Sequence, residues 1–373
     1  MKTYEFTRPS KRDFSSIWNK CYVPYLDTIH MDSFDTLESM YSKSFSQKTM
    51  LNIIDSLNLN IPKRESSAKM AVDIAARLMQ PNAFVSFLYC LHDSCLDWLI
   101  RAVESNVPLR MPTNLGVQNM PLLSSGYVCV SEDGDTPEII VPEDVKKLYR
   151  EIAIPAFLKK RKQLRWLSLC LQACSIFHGI TPSEIVTDIF NRNSEWLLSN
   201  EDIKLLAQEI PPELKSSKLI ENDFVAFPFI RDNGLYDILE CQSGKDYYIP
   251  SLDDIQKIGS GTYWGSSVYA SNVLNFLLRE VPENHNCRHL KDVIGEIEIA
   301  YSMGSTISES LDILSYFGVI LPSATEGIRH LERWLLHLWS NTRMSVNRGH
   351  TPLELDGAKI SNYHKSYKTE AEG

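Results

Sequence analysis

No stretch of the 373 residues approaches the roughly 20 consecutive apolar positions that cross a bilayer, and the opening Met1-Lys2-Thr3-Tyr4-Glu5-Phe6-Thr7 has no apolar core of a secretory leader. The chain therefore reads as cytoplasmic, with no membrane partner. Its eight cysteines (Cys21, Cys90, Cys95, Cys129, Cys170, Cys174, Cys241 and Cys287) never form a C-x-x-C pair. That removes the commonest redox and zinc-ribbon signatures, and irregular spacing in a chain long enough to bury a core points to reduced, mostly buried thiols. There is no G-x-S-x-G elbow, H-E-x-x-H helix, Walker lysine or paired-carboxylate motif, so no catalytic residue, metal or cofactor is assigned. An excess of positive charge is also missing. The balance of 38 Lys+Arg against 47 Asp+Glu, a net −9, argues against a whole surface built for polyanions and leaves room for a local basic patch.

What is present is periodicity. Residues 1–45 mix Phe6, Phe14, Trp18, Tyr22 and Tyr25 with charges and have no sustained period, which predicts an irregular segment with short helices packed on the next module. From Lys48 the pattern sharpens into two amphipathic helices, one carrying Met50, Leu51, Ile53, Ile54 and Leu57, the other Met70, Ala71, Ile74, Ala75 and Leu78. Between them lies an extended loop with apolar pins at Leu59 and Ile61. This 46–80 segment resembles the small helix-loop-helix module at the N-terminus of transcription terminator Rho and the related SAP and LEM modules, families that include nucleic-acid and protein binders.

Residues 81–165 continue with apolar helices, a segment around Leu115 to Leu123, and a hairpin of Tyr127–Val130 and Glu138–Val141 across an Asp133-Gly134 turn. Pro142-Glu143-Asp144 then opens a long helix. The same order returns in 166–250. Leu167 to Phe177 reads as a helix ended by Gly179, and Thr181-Pro182-Ser183-Glu184 as a capping box opening the next. A third helix starts at Glu201. Phe224–Ile230 and Leu235–Leu239 read as a second hairpin around Asp232-Asn233-Gly234, with Pro228 confining its first strand to an edge or a bulge. Helices followed by a hairpin, twice, predict a mainly α protein with two winged-helix-like modules carrying small β-hairpins. Residues 251–355 read as a helical domain with helices at 252–258, 267–280, 287–302, 306–316 and 325–345, and 356–373 as a disordered tail.

The stretch Asn341-Thr342-Arg343-Met344-Ser345-Val346-Asn347-Arg348-Gly349-His350-Thr351-Pro352-Leu353-Glu354-Leu355 is the most distinctive in the chain. It resembles the closing segment of a group of largely uncharacterised bacterial proteins with a Rho N-terminal-like module, often labelled SEC-C-associated. In that group an Asn-Thr-Arg helix end precedes Gly-His-Thr-Pro-x-Glu-Leu. The resemblance implies a modular architecture over residues 45–355 and says almost nothing about activity, since the group has no assigned catalytic residues; the cysteine-rich zinc tail of the label is absent from this sequence. The motif also has a local explanation, with Gly349 ending a helix and Thr351 capping the next.

One local basic run stands out. Lys146, Lys147, Arg150, Lys159, Lys160, Arg161, Lys162 and Arg165 place eight cations in twenty residues. Following the first predicted wing, they are candidate phosphate contacts, with a solvated helix face as the alternative. Cys90-x-His92-x-x-Cys95 and His285-x-Cys287-x-His289 each hold three metal-ligand types in spacings that match no zinc motif, so core thiols and surface histidines are the better reading. Ile258-Gly259-Ser260-Gly261-Thr262-Tyr263-Trp264-Gly265 imitates a kinase glycine loop with its third glycine one residue late, and reads as a flexible loop entering a helix at Ser267. Cys170 and Cys174 read as core, and His330 and His337 as partly buried or rim positions beside Trp334. The sequence thus favours a non-enzymatic, regulatory interaction protein that binds DNA or RNA through its winged-helix-like modules and the basic run. The alternative is a protein-binding adaptor using the same modules.

Overall fold

The computed structural model describes residues 33–110, 120–131, 138–192, 195–231, 235–287 and 289–356. Residues 1–32, the Asp133-Gly134 and Asp232-Asn233-Gly234 turns, the expectations around Leu115 and Val117, and the tail from 357 lie outside them. The protein is mainly helical and, among the described residues, forms two small antiparallel three-stranded sheets. Among the described residues, no helix is long and apolar enough to cross a membrane. The chain divides into two compact units, Met1–Gln163 and Leu164–Gly373.

In the first unit, α1 (Leu37–Ser44), α2 (Gln47–Ser56) and α3 (Ser67–Leu78) each begin on a hydroxyl cap, Thr36, Ser46 and Ser66. Each cap meets an N–H that the helix itself cannot satisfy, worth about 1 kcal/mol. Their apolar stripes bring Met40, Tyr41, Met50, Ile53, Met70 and Ile74 into one core. Asn58 turns the α2–α3 loop through a left-handed φ of 50°, Leu59 donates to the Ile54 carbonyl at 2.9 Å, and Ile61 is buried. The two pins thus sit as the periodicity predicts, but the core runs on into α4 (Pro81–Cys90) and α5 (Asp93–Glu104), so residues 46–80 share it with the rest of the unit.

The first sheet has the order β1 (Leu109–Arg110), β3 (Glu138–Ile140), β2 (Cys129–Ser131). The predicted hairpin is its β2–β3 pair, with Cys129 opposite Ile140, and α6 (Met120–Leu123) precedes it. Two buried hydroxyls fasten this sheet entry to the helices: Tyr41 donates to the Gly126 carbonyl and Tyr127 to that of Leu78, both at 2.7 Å. Next, α7 (Glu143–Ile152) is tied back to the start of α1, because the Asp144 carboxylate accepts the Leu37 N–H at 2.9 Å.

The unit boundary falls within α8 (Pro155–Phe177). In the second unit this helix ends at Gly179, which takes φ +69° and donates to the Cys174 carbonyl at 3.1 Å. The elements then run β4 (Ile180–Pro182), α9 (Ser183–Asn191), α10 (Asn200–Gln208), β5 (Ser217–Ile220) and β6 (Asp223–Ala226), and the sheet order is β4-β6-β5.

Two expectations need correction. Pro182, not Thr181, occupies the N-cap of α9, and no side chain caps it, because Thr181 is a strand residue paired with Phe224. The second hairpin lies at 217–226, turning at Glu221 and Asn222, and the predicted strands Phe224–Ile230 and Leu235–Leu239 are largely helical instead. They form α11 (Phe227–Arg231) and α12 (Leu235–Gln242). Pro228 explains the switch: it has no N–H for a ladder but fits the first turn of a helix, where that N–H has no partner anyway.

The remaining helices follow the apolar period closely: α13 (Leu252–Gly259), α14 (Val268–Glu280), α15 (Leu290–Ser302), α16 (Ile307–Tyr316) and α17 (Thr325–Asn341). Leu331, Leu335 and Leu338 of α17 are buried in one core with Val273 and Leu277 of α14 and Ile294 and Ile297 of α15. Helix α17 ends at Asn341, four residues earlier than expected, and a short 3-10 turn at Ser345–Asn347 comes next. Gly349 therefore closes that turn rather than the long helix.

Glu221 holds a left-handed φ of 54°, a conformation that costs a side-chain-bearing residue about 1 kcal/mol. We expect Glu221→Gly to raise the urea midpoint by a corresponding amount, with no change in the slope of the transition.

Candidate functional site

The basic run divides into cations that hold helices together and cations that face solvent. A helix ends with four carbonyls that its own N–H groups cannot reach, and the C-terminal end of its dipole favours positive charge. At the end of α5, Arg150 donates to the Val103 carbonyl at 3.0 Å, and Lys146 to that of Ser105 at 2.9 Å while pairing with Glu143 at 2.6 Å. Arg161 does the same for α4: its Nε donates to the Leu88 carbonyl at 2.9 Å, Nη2 to Leu91 and Nη1 to Asp93 at 2.6 Å. Lys146 and Arg161 are buried, so as phosphate contacts these two are corrected; their charge is spent inside the unit. Lys147, Lys159 and Lys162 are exposed, and Lys160 and Arg165 are half-buried. Lys147 sits 4.0 Å from Glu151.

The other sequence constellations resolve into structure. His92 caps α5, its Nδ1 accepting the Ser94 N–H at 3.3 Å, while Cys95 is buried in the core. His285 bonds the Pro282 carbonyl at 2.8 Å and His289 lies 3.4 Å from Asp292. Among the described residues, no group of three or more His, Cys, Asp or Glu is placed to hold a metal ion. Burial pushes the Cys170 thiol well up and the Cys174 thiol up to about 12, so neither is a reactive thiolate. The donors of the glycine loop are already met inside the fold, by a carboxyl group whose pKa burial raises against those same hydrogen bonds. The buried Glu298 carboxylate accepts from the Gly265 N–H and from the Ser267 hydroxyl at 2.7 Å, and Ser267 in turn caps α14.

The densest polar arrangement is one that spacing alone does not reveal, a clasp between residues 178, 242–254 and 343–354. Gln242, fully buried, donates through Nε2 to the His178 carbonyl at 2.5 Å and to that of Ser345 at 2.7 Å. Lys245 donates to the Val346 carbonyl at 3.1 Å, Arg348 returns a bond to that of Lys245, and the Tyr248 N–H reaches the Arg348 carbonyl at 2.9 Å. Arg343 lies over Tyr248, 3.4 Å from the ring centre, and donates to the Gly349 carbonyl at 3.0 Å and to Glu354 at 3.1 Å. Glu354 also completes a capping box with Thr351, the residue expected to cap the next helix. Gly349 has φ +83°, and a Cβ there would come within 3.0 Å of Tyr248 and 3.1 Å of Phe177. The Arg, Gly, Thr and Glu of the distinctive closing segment are thus accounted for by packing.

His178 sits at the bottom of the clasp. Its Nε2 donates to the Tyr248 carbonyl at 2.8 Å and Nδ1 faces the Thr181 hydroxyl at 3.2 Å, a pattern that suits the neutral ring. Burial drives its pKa down to about 4, with help from His350 and Arg348 and against the pull of the Tyr248 carbonyl.

Comparison with protein-family models, with curated proteins and with solved structures finds no match for this chain.

Two stability outcomes are expected from these contacts. Arg161→Ala strands the Leu88 and Leu91 carbonyls and is expected to cost about 2 to 3 kcal/mol, whereas Lys162→Ala should stay within about 0.5 kcal/mol, both read from urea midpoints. His178 has a folded pKa near 4 against 6.5 unfolded, so its contribution is complete above pH 6.5 and is lost as pH falls toward 4, by up to about 3 kcal/mol. The stability of His178→Gln should therefore depend less on pH between 6.5 and 4 than that of the parent.

Proposed function

We propose that the chain is a non-enzymatic interaction protein whose second unit carries a winged-helix-like module that docks a protein. Support for the module comes from the order helix, strand, helix, helix, strand, strand across α8 to β6, with the first strand pairing to the last in the sheet β4-β6-β5. The first sheet has the same strand order, β1-β3-β2, which favours a related module in the first unit. Membership of the bacterial group that Asn341–Leu355 resembles belongs to the same proposal.

The observation that carries the choice of partner is the charge of α9 and α10. Over residues 183–210 there are six acids (Glu184, Asp188, Glu195, Glu201, Asp202 and Glu209) against two bases, Arg192 and Lys204. Lys204 is itself engaged, by Glu201 at 2.9 Å and Asn222 at 3.0 Å. A helix pair of this charge repels phosphates, whereas nucleic-acid affinity depends on Lys and Arg displacing counterions. The same region presents Leu205 at 60 % and Leu197 at 82 % exposure. Exposed leucines among acids suit a protein segment with apolar side chains flanked by Lys or Arg. A second reading, nucleic-acid binding by the first unit, draws on the exposed Lys147, Lys159 and Lys162.

Affinity purification after nuclease treatment, combined with fluorescence anisotropy on DNA and RNA, separates the two. The expected result is a discrete protein partner that is lost with Leu197→Glu/Leu205→Glu and kept with Lys147→Glu/Lys159→Glu/Lys162→Glu. Salt-sensitive nucleic-acid binding that the lysine variant abolishes, with no partner sensitive to the leucine variant, would overturn the protein-docking reading in favour of the second.

A further inference from the structure

A cleft of about 310 Å3 opens in the second unit, between α14 and α17. Phe276 and Arg279 contribute from α14; His330, Arg333, Trp334 and His337 contribute from α17. The spacing 330, 333, 334, 337 is one helical face, so a single stripe of α17 supplies two imidazoles, a guanidinium and an indole. Among the described residues the lining contains no carboxylate, and every ionisable side chain in it is a base. Arg279 reaches Glu280 through Nε at 3.0 Å and lies 5.8 Å over the Phe276 ring, a bond that uses one of its three nitrogens. Trp334 and His337 hold their rings 6.1 Å apart at a tilt of 46°.

From this lining we infer that the cleft is a binding site for a small organic phosphate bearing a flat ring, of the size class of a nucleoside monophosphate. Guanidinium groups on opposing helices suit a tetrahedral oxyanion, with Arg279 keeping two nitrogens beyond its bond to Glu280, and the two imidazoles add to the basic lining. The indole and phenyl faces give a ring something to stack on. The volume lies at the small end of ligand pockets, which selects a compact ligand over an extended one. The site lies on α14 and α17, outside the α9–α10 surface proposed for protein docking, so the two readings can fail separately.

The test is isothermal titration of the full chain with AMP, UMP and phenyl phosphate, with inorganic phosphate, ribose 5-phosphate and adenosine as controls. The ring-bearing phosphates should bind with dissociation constants from micromolar to sub-millimolar, and each control at least about tenfold more weakly. Arg279→Gln, a change at an exposed side chain that leaves the core intact, should weaken AMP by about tenfold or more. Trp334→Leu should reduce the preference for AMP over ribose 5-phosphate, with circular dichroism reporting that the fold is retained. Absence of heat with every ring-bearing phosphate at millimolar concentration overturns the inference. So does binding of inorganic phosphate as tight as that of AMP, or AMP binding unchanged in Arg279→Gln.

Discussion

Carbonyls left over at helix ends are the constraint around which this protein is organised. A chain built from many short helices multiplies such ends, and each buried carbonyl without a partner costs more than a made hydrogen bond returns. Here long polar side chains reach across to supply the missing donors: Lys146 and Arg150 to the end of α5, Arg161 to the end of α4, and Gln242, Lys245 and Arg348 to the turns beside α8, α12 and the closing segment. The concentration of cations at 146–165 is therefore in part a device for joining helices. It also explains how an acidic protein comes to bury lysine and arginine, because each buried charge faces carbonyl oxygens and a carboxylate.

The fold was legible where one principle dominated. Helices α13 to α17 follow from apolar spacing and hydroxyl caps such as Ser251, Ser267 and Thr306, and their ends were readable to within a few residues. The second hairpin was not, because its turn, Glu221-Asn222, lacks the glycine that usually marks a left-handed position, while Asp232-Asn233-Gly234 offers that signal between two helices. Pro228, read as an edge-strand residue, belongs to a helix start. The basic run was legible as charge and opaque as position, since exposure is the ordinary state of Lys and Arg and nothing local distinguishes Arg161 from Lys162. His178 and Gln242 carried no signal, as their partners Tyr248 and Ser345 lie far along the chain. The α17 side of the cleft was visible as a His-Trp-His stripe; Arg279 and Phe276 join it only through tertiary packing.

Within the second unit, charge is segregated by element. The α9–α10 pair is acidic and carries exposed leucines, while the α14–α17 cleft is lined by bases and aromatic rings. Separate surfaces of opposite sign on one compact unit keep the proposed docking helices and the proposed anion cleft from drawing on the same side chains. The net charge of −9 conceals this arrangement, because it averages over both.

The clasp around Gln242 has a consequence for how the protein is made. Gln242 meets Ser345 across 103 positions of sequence, and His178 depends on Tyr248, 70 positions away. During synthesis the chain emerges from its N-terminal end, so α8, α12 and their loops leave the ribosome long before the segment that completes their hydrogen bonds. The second unit therefore reaches its final packing only once the residues up to Glu354 are available, and contacts of such long sequence separation place that step late and make it slow. Until then Gln242 and the carbonyls it serves remain open to water, and the first unit, whose described core closes within its own residues, has no need to wait.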